Sequence, residues 1–460
     1  MPPVAIPEAP AWAKDLVMYQ LNPRTFTSPD GAGAGDGSGT FASMRERLPY
    51  LRRVGVNGIW MAGHHLATAH FYGIWSVYAA LEPQTIDPVL GTPDEFRELV
   101  RACHAQGIRL FLDVIAHGVL HESPLVAEHP DWFPSSSWGM ADYDYANPEF
   151  RAWWKDLWLT YALEYDVDGF RIDVDMGDPS LWAEIVLAAR EAGKELVVFP
   201  ENERFHFSQQ EIMGAEFNPV RALHVRDFLK EPRGLAAAQL SCHDYGWQGL
   251  PGNHYYLKGS RALAAHGALL APRIPIFLAG EEFDADPAPV PNLTQGLFGD
   301  GGPGGWMYGN RVDWVGLDDP SKKAMLDDVT EMLSLRRRFL HLINGDSSTM
   351  AIAAVPYDGR LSHAPFALGN GTEAIIVAVN NTSEPVSAQI QVPRGDLGVA
   401  VDARLRVVDL LSGESVELGL DDRCQVDVAA DYEPRGGYRA LHVTLADDQM
   451  PVRAELPNGR

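Results

Sequence analysis

The sequence predicts an α/β fold: an eight-stranded β/α (TIM) barrel with a short inserted domain after strand 3, followed by a C-terminal antiparallel β-sandwich. Three observations predict it. Eight short apolar runs alternate with segments of helical period between Leu16 and about Gly280. The stretch from His117 to Pro148 interrupts that alternation after the third run, and from about Ala351 the pattern becomes short alternating strands separated by turn residues. Alternation by itself also fits an open doubly wound sheet; the count of eight favours the barrel.

Taken in order, the runs are Leu16–Leu21, Val56–Met61, Arg109–Ile115, Gly169–Ile172, Glu195–Phe199, Gly214–Phe217, Ala236–Leu240 and Ile274–Ala279. The helical pattern Phe41–Val54 stops at Gly55. A second, Thr92–Gln106, opens Thr-Pro-Asp-Glu, an N-cap followed by a proline in the first turn, and stops at Gly107. The interrupting stretch carries Pro124, Pro130, Pro134 and the run Ser135-Ser136-Ser137. Between Ala262 and Gly280 the chain is apolar but broken by His266, Pro272, Arg273 and Pro275, which divides it into a helix and a buried strand and excludes a membrane span. A Pro- and Gly-rich segment follows Asp284, then a helix, Ser321–Leu342, ending near Gly345. Strands such as Ala374–Asn380, Ala388–Val392 and Ala440–Thr444 complete the chain. The barrel is therefore placed at 1–345, with 117–148 as its inserted domain, and the sandwich at 346–460.

Composition bounds the function. A 46% hydrophobic fraction suits a large buried core, and a formal charge of −25 with no Lys/Arg run excludes nucleic acid and anionic membranes as partners. A neutral partner such as a carbohydrate is compatible with this charge, although a solvated acidic surface explains it equally well. Cys103, Cys242 and Cys424 are odd in number and far apart, so reduced thiols are expected and no disulfide or metal site. The N-terminal Met1-Pro-Pro-Val-Ala lacks a basic and then apolar leader, so a cytoplasmic location is expected.

Several strand ends finish in acidic or His residues, where barrel loops gather catalytic groups around one opening. The fourth run ends Gly169-Phe-Arg-Ile-Asp173, so Arg171 and Asp173 share a face and the guanidinium can hold the carboxylate ionised, as a nucleophile requires. The fifth ends Phe199-Pro-Glu201-Asn-Glu203, where a carboxylic acid could give a proton to a leaving oxygen; Glu201 is preferred to Glu203 because it stands at the strand end. The seventh ends Cys242-His243-Asp244. Each singly has a structural alternative, a buried ion pair or a helix cap; their succession at strand ends favours a site.

Gly169-Phe-Arg-Ile-Asp-Val resembles the nucleophile motif of the α-amylase family, glycoside hydrolase family 13. In the same order, Asp15–Phe26 resembles that family's first strand, Leu48–Trp60 its second, Gly91–Val100 its second helix, Asp113-Val-Ile-Ala-His its third-strand motif, Asp142–Glu149 the end of its inserted domain, and Ile274–Glu282 its eighth strand. The resemblance implies Asp173 as nucleophile, Glu201 as general acid/base and Asp244 as the carboxylate that holds sugar hydroxyls and stabilises an oxocarbenium-like transition state. Arg171 and His243 would support them.

The chain also departs from the family. His117-Gly118 stand where the motif usually closes Asn-His, so the family's structural calcium is not expected, and no other cofactor is. Ile74 stands in place of the tyrosine that usually lies under the sugar, and Met176-Gly177 replace a Lys-His pair that grips the leaving glucan. Tyr72, Trp75 and His117 are candidates to rebuild the sugar platform, and Trp138 or Trp247 to stack on a sugar face; ordinary packing is the competing reading of each. His64-His65 read as a polar loop rather than a pocket wall. These features imply an atypical member: a retaining α-glycosidase acting on short α-glucosides or another small α-glycoside. Transglycosylation or sugar isomerisation on the same machinery, or a degenerate family member that binds sugar or protein, are the alternatives.

Overall fold

The computed structural model describes residues 5–28, 37–68, 76–209, 235–239, 243, 259–289, 310–345, 350–419 and 422–446. The chain divides into two compact units. One comprises Met1–Arg221, Gly234–Gly259 and Arg273–Ser334; the other comprises Ala222–Arg233, Ser260–Pro272 and Leu335–Arg460.

In the first unit, seven parallel strands are described: Met18–Leu21, Gly58–Met61, Arg109–Val114, Gly169–Ile172, Val197–Pro200, Ala237–Gln239 and Ile274–Leu278. They correspond to seven of the eight predicted runs; the sixth, Gly214–Phe217, lies outside the described residues. Numbered as those runs, the sheet order is 5-4-3-2-1-8-7. Its two ends are the neighbours a sixth strand would have in a cyclic order, and no reversal of order occurs along it, as it would at the switch point of a doubly wound sheet. The fold is that of the β/α barrel. The strands are apolar almost throughout because a parallel sheet buries both faces.

Local chemistry explains the connecting helices. Phe41–Val54 opens with a capping box between Thr40 and Ser43 and ends at Gly55, whose φ of 117° is open to glycine. Pro93–Ala105 opens with the reciprocal Thr92–Glu95 box and a proline in the first turn. Helices Pro148–Leu163 and Pro179–Glu191 lay Trp158 and Trp182 against the fourth strand, with Phe170 5.3 Å from Trp158 and 5.7 Å from Trp182 between ring centroids. The inserted stretch contains the helix Pro124–Glu128 and a three-stranded antiparallel sheet in which Met140–Asp142 lies between Gly118–Leu120 and Ser135–Ser137. A hairpin after the second strand, His65–Thr68 with Ser76–Ile86, was not anticipated from the sequence.

The polar-loop reading of His64-His65 is overturned: both side chains are buried. The His64 ring packs 4.8 Å from Tyr161, and His65 Nε2 lies 3.1 Å from the Val77 carbonyl oxygen. Burial lowers the pKa of both, so each is a neutral imidazole used as a core aromatic.

The second unit holds a six-stranded antiparallel sheet in the order Ala351–Ala354, Phe366–Gly369, Glu373–Val379, Tyr438–Leu445, Leu405–Asp409, Ser415–Leu418. A two-stranded sheet pairs Val386–Ile390 with Cys424–Val428. Alternation along Cys424–Val428 turns Cys424, Val426 and Val428 into a core shared with Ile376, Ile390 and Val443. Cys103 and Cys424 are free and buried. No described helix is long and apolar enough to cross a membrane.

Candidate active site

The C-terminal ends of the third, fourth and fifth strands converge on one guanidinium. Arg171 Nη1 donates to Asp173 Oδ1 at 2.6 Å and to Asp113 Oδ1 at 3.0 Å, Nη2 donates to Glu201 Oε2 at 2.6 Å, and Nε donates to Gln209 Oε1 at 2.8 Å. The strand register sets this up: Asp113 pairs with Arg171 across the third and fourth strands, and Arg171 with Phe199 across the fourth and fifth. Period-two alternation then puts Asp173 on the same side as Arg171. Arg171 is completely buried, with its guanidinium carbon 5.0 Å from the Trp60 ring centroid. It therefore acts on the carboxylates rather than on a bound molecule.

Two of the sequence candidates, Asp173 and Glu201, are brought together on Arg171. Glu201 Oε2 also accepts from the Val174 backbone N–H at 3.0 Å. Glu203 is exposed, because the fifth strand ends at Pro200 and its alternation does not continue. Val174, immediately after Asp173, has a φ of 57°, a left-handed conformation that is costly for a β-branched residue. Its amide is the one that Glu201 uses, so the strain aims a donor into the cluster.

Electrostatics separate the carboxylates. Burial pushes Asp173 up, but Arg171 and then His117 oppose it and hold its pKa below the usual carboxylate range. His117 Nε2 lies 3.5 Å from Asp173 Oδ2. Asp113 goes the other way: burial raises its pKa and the charge of Asp173 adds to that, against the pull of Arg171. Its other oxygen accepts from Trp60 Nε1 at 3.0 Å.

Beneath the carboxylates runs a closed circuit of hydrogen bonds that sequence reasoning missed. From Arg171 Nε it passes to Gln209 Oε1 at 2.8 Å; Gln209 Nε2 donates to Gln239 Oε1 at 3.1 Å, and Gln239 Nε2 to Gln20 Oε1 at 2.9 Å. Gln20 Nε2 then donates to His243 Nδ1 at 2.6 Å, His243 Nε2 meets Tyr78 Oη at 2.7 Å, and Tyr78 Oη reaches Asp113 Oδ2 at 3.4 Å. Asp113 closes the circuit on Arg171. Because Gln20 Nε2 can only donate, His243 carries its proton on Nε2 and is neutral, in accord with a pKa that burial and then Arg171 lower to about 3. His243 is thus a buried link in the circuit. A tyrosine does stand beside the cluster: Tyr78, whose ring stacks 5.5 Å from that of His243 at 28°. The available signal was Gln20, a polar residue in the apolar strand Met-Tyr-Gln-Leu that required a buried partner.

Close approach explains two departures noted in the sequence. A Cβ on Gly118 would lie 2.2 Å from the Ala141 carbonyl oxygen, so a larger residue there would part the strands of the inserted sheet. A Cβ on Gly177 would lie 2.2 Å from the ring of Tyr145, which caps the loop after the fourth strand and donates to the Ala116 carbonyl at 2.7 Å. Asp244, Tyr72, Trp75, Ile74 and Trp247 lie outside the described residues.

The α-amylase catalytic-domain profile matches residues 20–137. A cyclomaltodextrinase of Geobacillus thermopakistaniensis is 24% identical over 91% of this chain and 76% of its own length. An intracellular maltogenic amylase of Bacillus subtilis is 28% identical over 46% of this chain and 41% of its own, so the chain matches less than half of that relative. Among solved structures, the acarbose complex of an α-amylase from Geobacillus thermoleovorans superposes with a TM-score of 0.72 at 19% identity, covering 94% of this chain and 98% of that one. A maltogenic α-amylase from Thermotoga neapolitana gives 0.69 at 16% identity over 94% and 99%. These likenesses show the same fold.

Proposed function

We propose that the chain is a member of the α-amylase family of glycoside hydrolases, a reading supported by the matching profile and the cyclomaltodextrinase relative, and that it is a retaining α-glycosidase acting on short α-glucosides through a covalent glycosyl-enzyme intermediate. The observation that carries this reading is the single guanidinium of Arg171 holding Asp173 on one terminal nitrogen and Glu201 on the other. Carboxyl pairs about 5–5.5 Å apart form a glycosyl ester, whereas gaps of about 6.5–9.5 Å admit a water between acid and base. Two carboxylates on one fork favour the closer arrangement.

Asp173, held ionised by Arg171 and His117, attacks the anomeric carbon; Glu201 gives its proton to the departing oxygen. With Oε2 engaged by Arg171 and Val174, that proton belongs on Oε1. Three carboxylates, Asp113, Asp173 and Glu201, share one cation, a formal charge of 1 − 3 = −2 when all are ionised, which favours retention of a proton within the group. Water then enters, Glu201 takes its proton, and the ester on Asp173 is released with the original anomeric configuration. Asp244 would hold the sugar hydroxyls, the role the family resemblance gives it. No cofactor is required by these steps. The relatives named cyclomaltodextrinase and maltogenic amylase support glucose oligomers as the substrate class.

The test is a panel of aryl α-glycosides offered to the wild-type protein and to Asp173→Asn. Release by the wild type alone supports the proposal; equal background from both on every substrate overturns it in favour of a binding protein.

A further inference from the structure

We infer that Trp138 is the platform on which a pyranose ring of the bound α-glucoside lies, beyond His117 from Asp173. The inference rests on the glycosidase reading of the Asp173–Glu201 cluster and adds the residue that grips the sugar's apolar face.

Trp138 differs from the buried tryptophans of the first unit. Trp60, Trp154, Trp158 and Trp182 are fully buried, whereas Trp138 keeps 70% of its surface exposed. It also occupies an expensive backbone position. It sits at the tip of the hairpin joining Ser135–Ser137 to Met140–Asp142, with φ 54°, followed by Gly139 at φ 78°. Two successive positive φ values suit Asn-Gly or Gly-Gly, and an aromatic residue is disfavoured at the first of them. An indole that is both strained and left in water has no role in the packing of the hairpin.

The hairpin is fixed, and what fixes it aims the indole at the cluster. Asp142 accepts from the Ser137 amide at 2.9 Å, from Ser137 Oγ at 2.6 Å and from Ser135 Oγ at 2.9 Å; Ser136 Oγ donates to the Met140 carbonyl at 2.7 Å and meets His121 Nε2 at 3.0 Å. Asp142 is in turn paired with Gly118, the residue directly after His117. The Trp138 ring therefore lies 5.7 Å from the His117 ring, and His117 Nε2 lies 3.5 Å from Asp173 Oδ2. Asp173, His117 and Trp138 form a continuous wall from the reacting carboxylate to an exposed aromatic face. The face of a glucopyranose ring is a patch of C–H groups that aromatic rings cover, while its hydroxyls project sideways to polar partners. Binding there would take the indole out of water without a charged partner, as a neutral glycan requires.

Binding separated from turnover tests this. In the Asp173→Asn background, maltose and maltotriose are titrated by calorimetry and by tryptophan fluorescence, with Trp138→Phe or Trp138→Ala added. The alanine variant is expected to bind about tenfold more weakly and to lose most of the fluorescence change, with the phenylalanine variant between. Since the side chain is exposed, unchanged thermal unfolding will separate this from misfolding. Sugar binding weakened by less than about threefold in the alanine variant overturns the role of Trp138 and leaves the glycosidase reading standing. No binding of either sugar to the parent variant, together with no glycoside cleavage by wild type, removes the glycosidase reading and this inference with it.

Discussion

The Arg171 cluster and the Trp138 hairpin are built on opposite principles. In the cluster Arg171 has no exposed surface, all three of its guanidinium nitrogens are committed, and a circuit through Gln209, Gln239, Gln20, His243 and Tyr78 returns to its partner Asp113. In the inserted sheet Trp138 stands mostly in water on a short hairpin held by serine hydroxyls. The groups assigned to bond breaking are thus fixed by many mutually dependent contacts, and the group assigned to recognition by few. Buried polar networks tolerate little change because each loss leaves another group unsatisfied in a medium of low dielectric. An exposed aromatic can be replaced without that penalty.

This contrast can be broken or sharpened by substitution. The largest effect is expected from Asp173→Asn, which removes the nucleophile and should lower kcat/KM by about 10⁴-fold or more, measured as steady-state release of an aryl group. Next, Arg171→Leu leaves three carboxylates facing one another without their cation. It should cost about 3–5 kcal/mol in urea unfolding at neutral pH; a smaller loss would mean the cluster is not held as described.

Acid should weaken the fold as well. Burial lowers the pKa of His65 and His206 from 6.5 to about 4 and that of His243 to about 3, and it lowers His64 too. These four groups therefore take up more protons in the unfolded chain than in the folded one below about pH 6.5, so their stabilisation is full above that pH and lost as pH falls toward 4, by about 1.4 kcal/mol per unit for each, partly offset by Asp113 and Glu282, whose pKa values burial raises to about 7. Unfolding midpoints measured from pH 7 to 4 check this. Gln209→Leu, which opens the circuit, should cost about 1–3 kcal/mol and lower kcat more than it raises KM. Trp138→Ala, at the other extreme, should move stability by less than about 0.5 kcal/mol while weakening sugar binding.

The order of strands, the helix caps and the alternation of the second unit were legible because they rest on local periodicity and capping chemistry. Asp173 beside Arg171 was legible for the same reason, two residues apart on one strand face. The circuit was not: Gln20 and Gln239 are separated by 219 positions, and nothing periodic links them. His64 and His65 were misread because a His pair after a strand looks hydrophilic, whereas a neutral imidazole among Phe96, Trp158 and Tyr161 packs as an aromatic ring. Trp138 was visible as an aromatic before glycine, but only the pairing of Gly118 with Asp142 brings it to His117.

The most direct test of the account is to trap the reaction halfway. The protein would be incubated with an α-glucosyl fluoride deactivated by a second ring fluorine, then digested and analysed by mass spectrometry. A glycosyl ester on the peptide containing Asp173, absent from Asp173→Asn, is the predicted result. Turnover of α-glucosides with inverted anomeric configuration, or an ester on any other carboxylate, would contradict it.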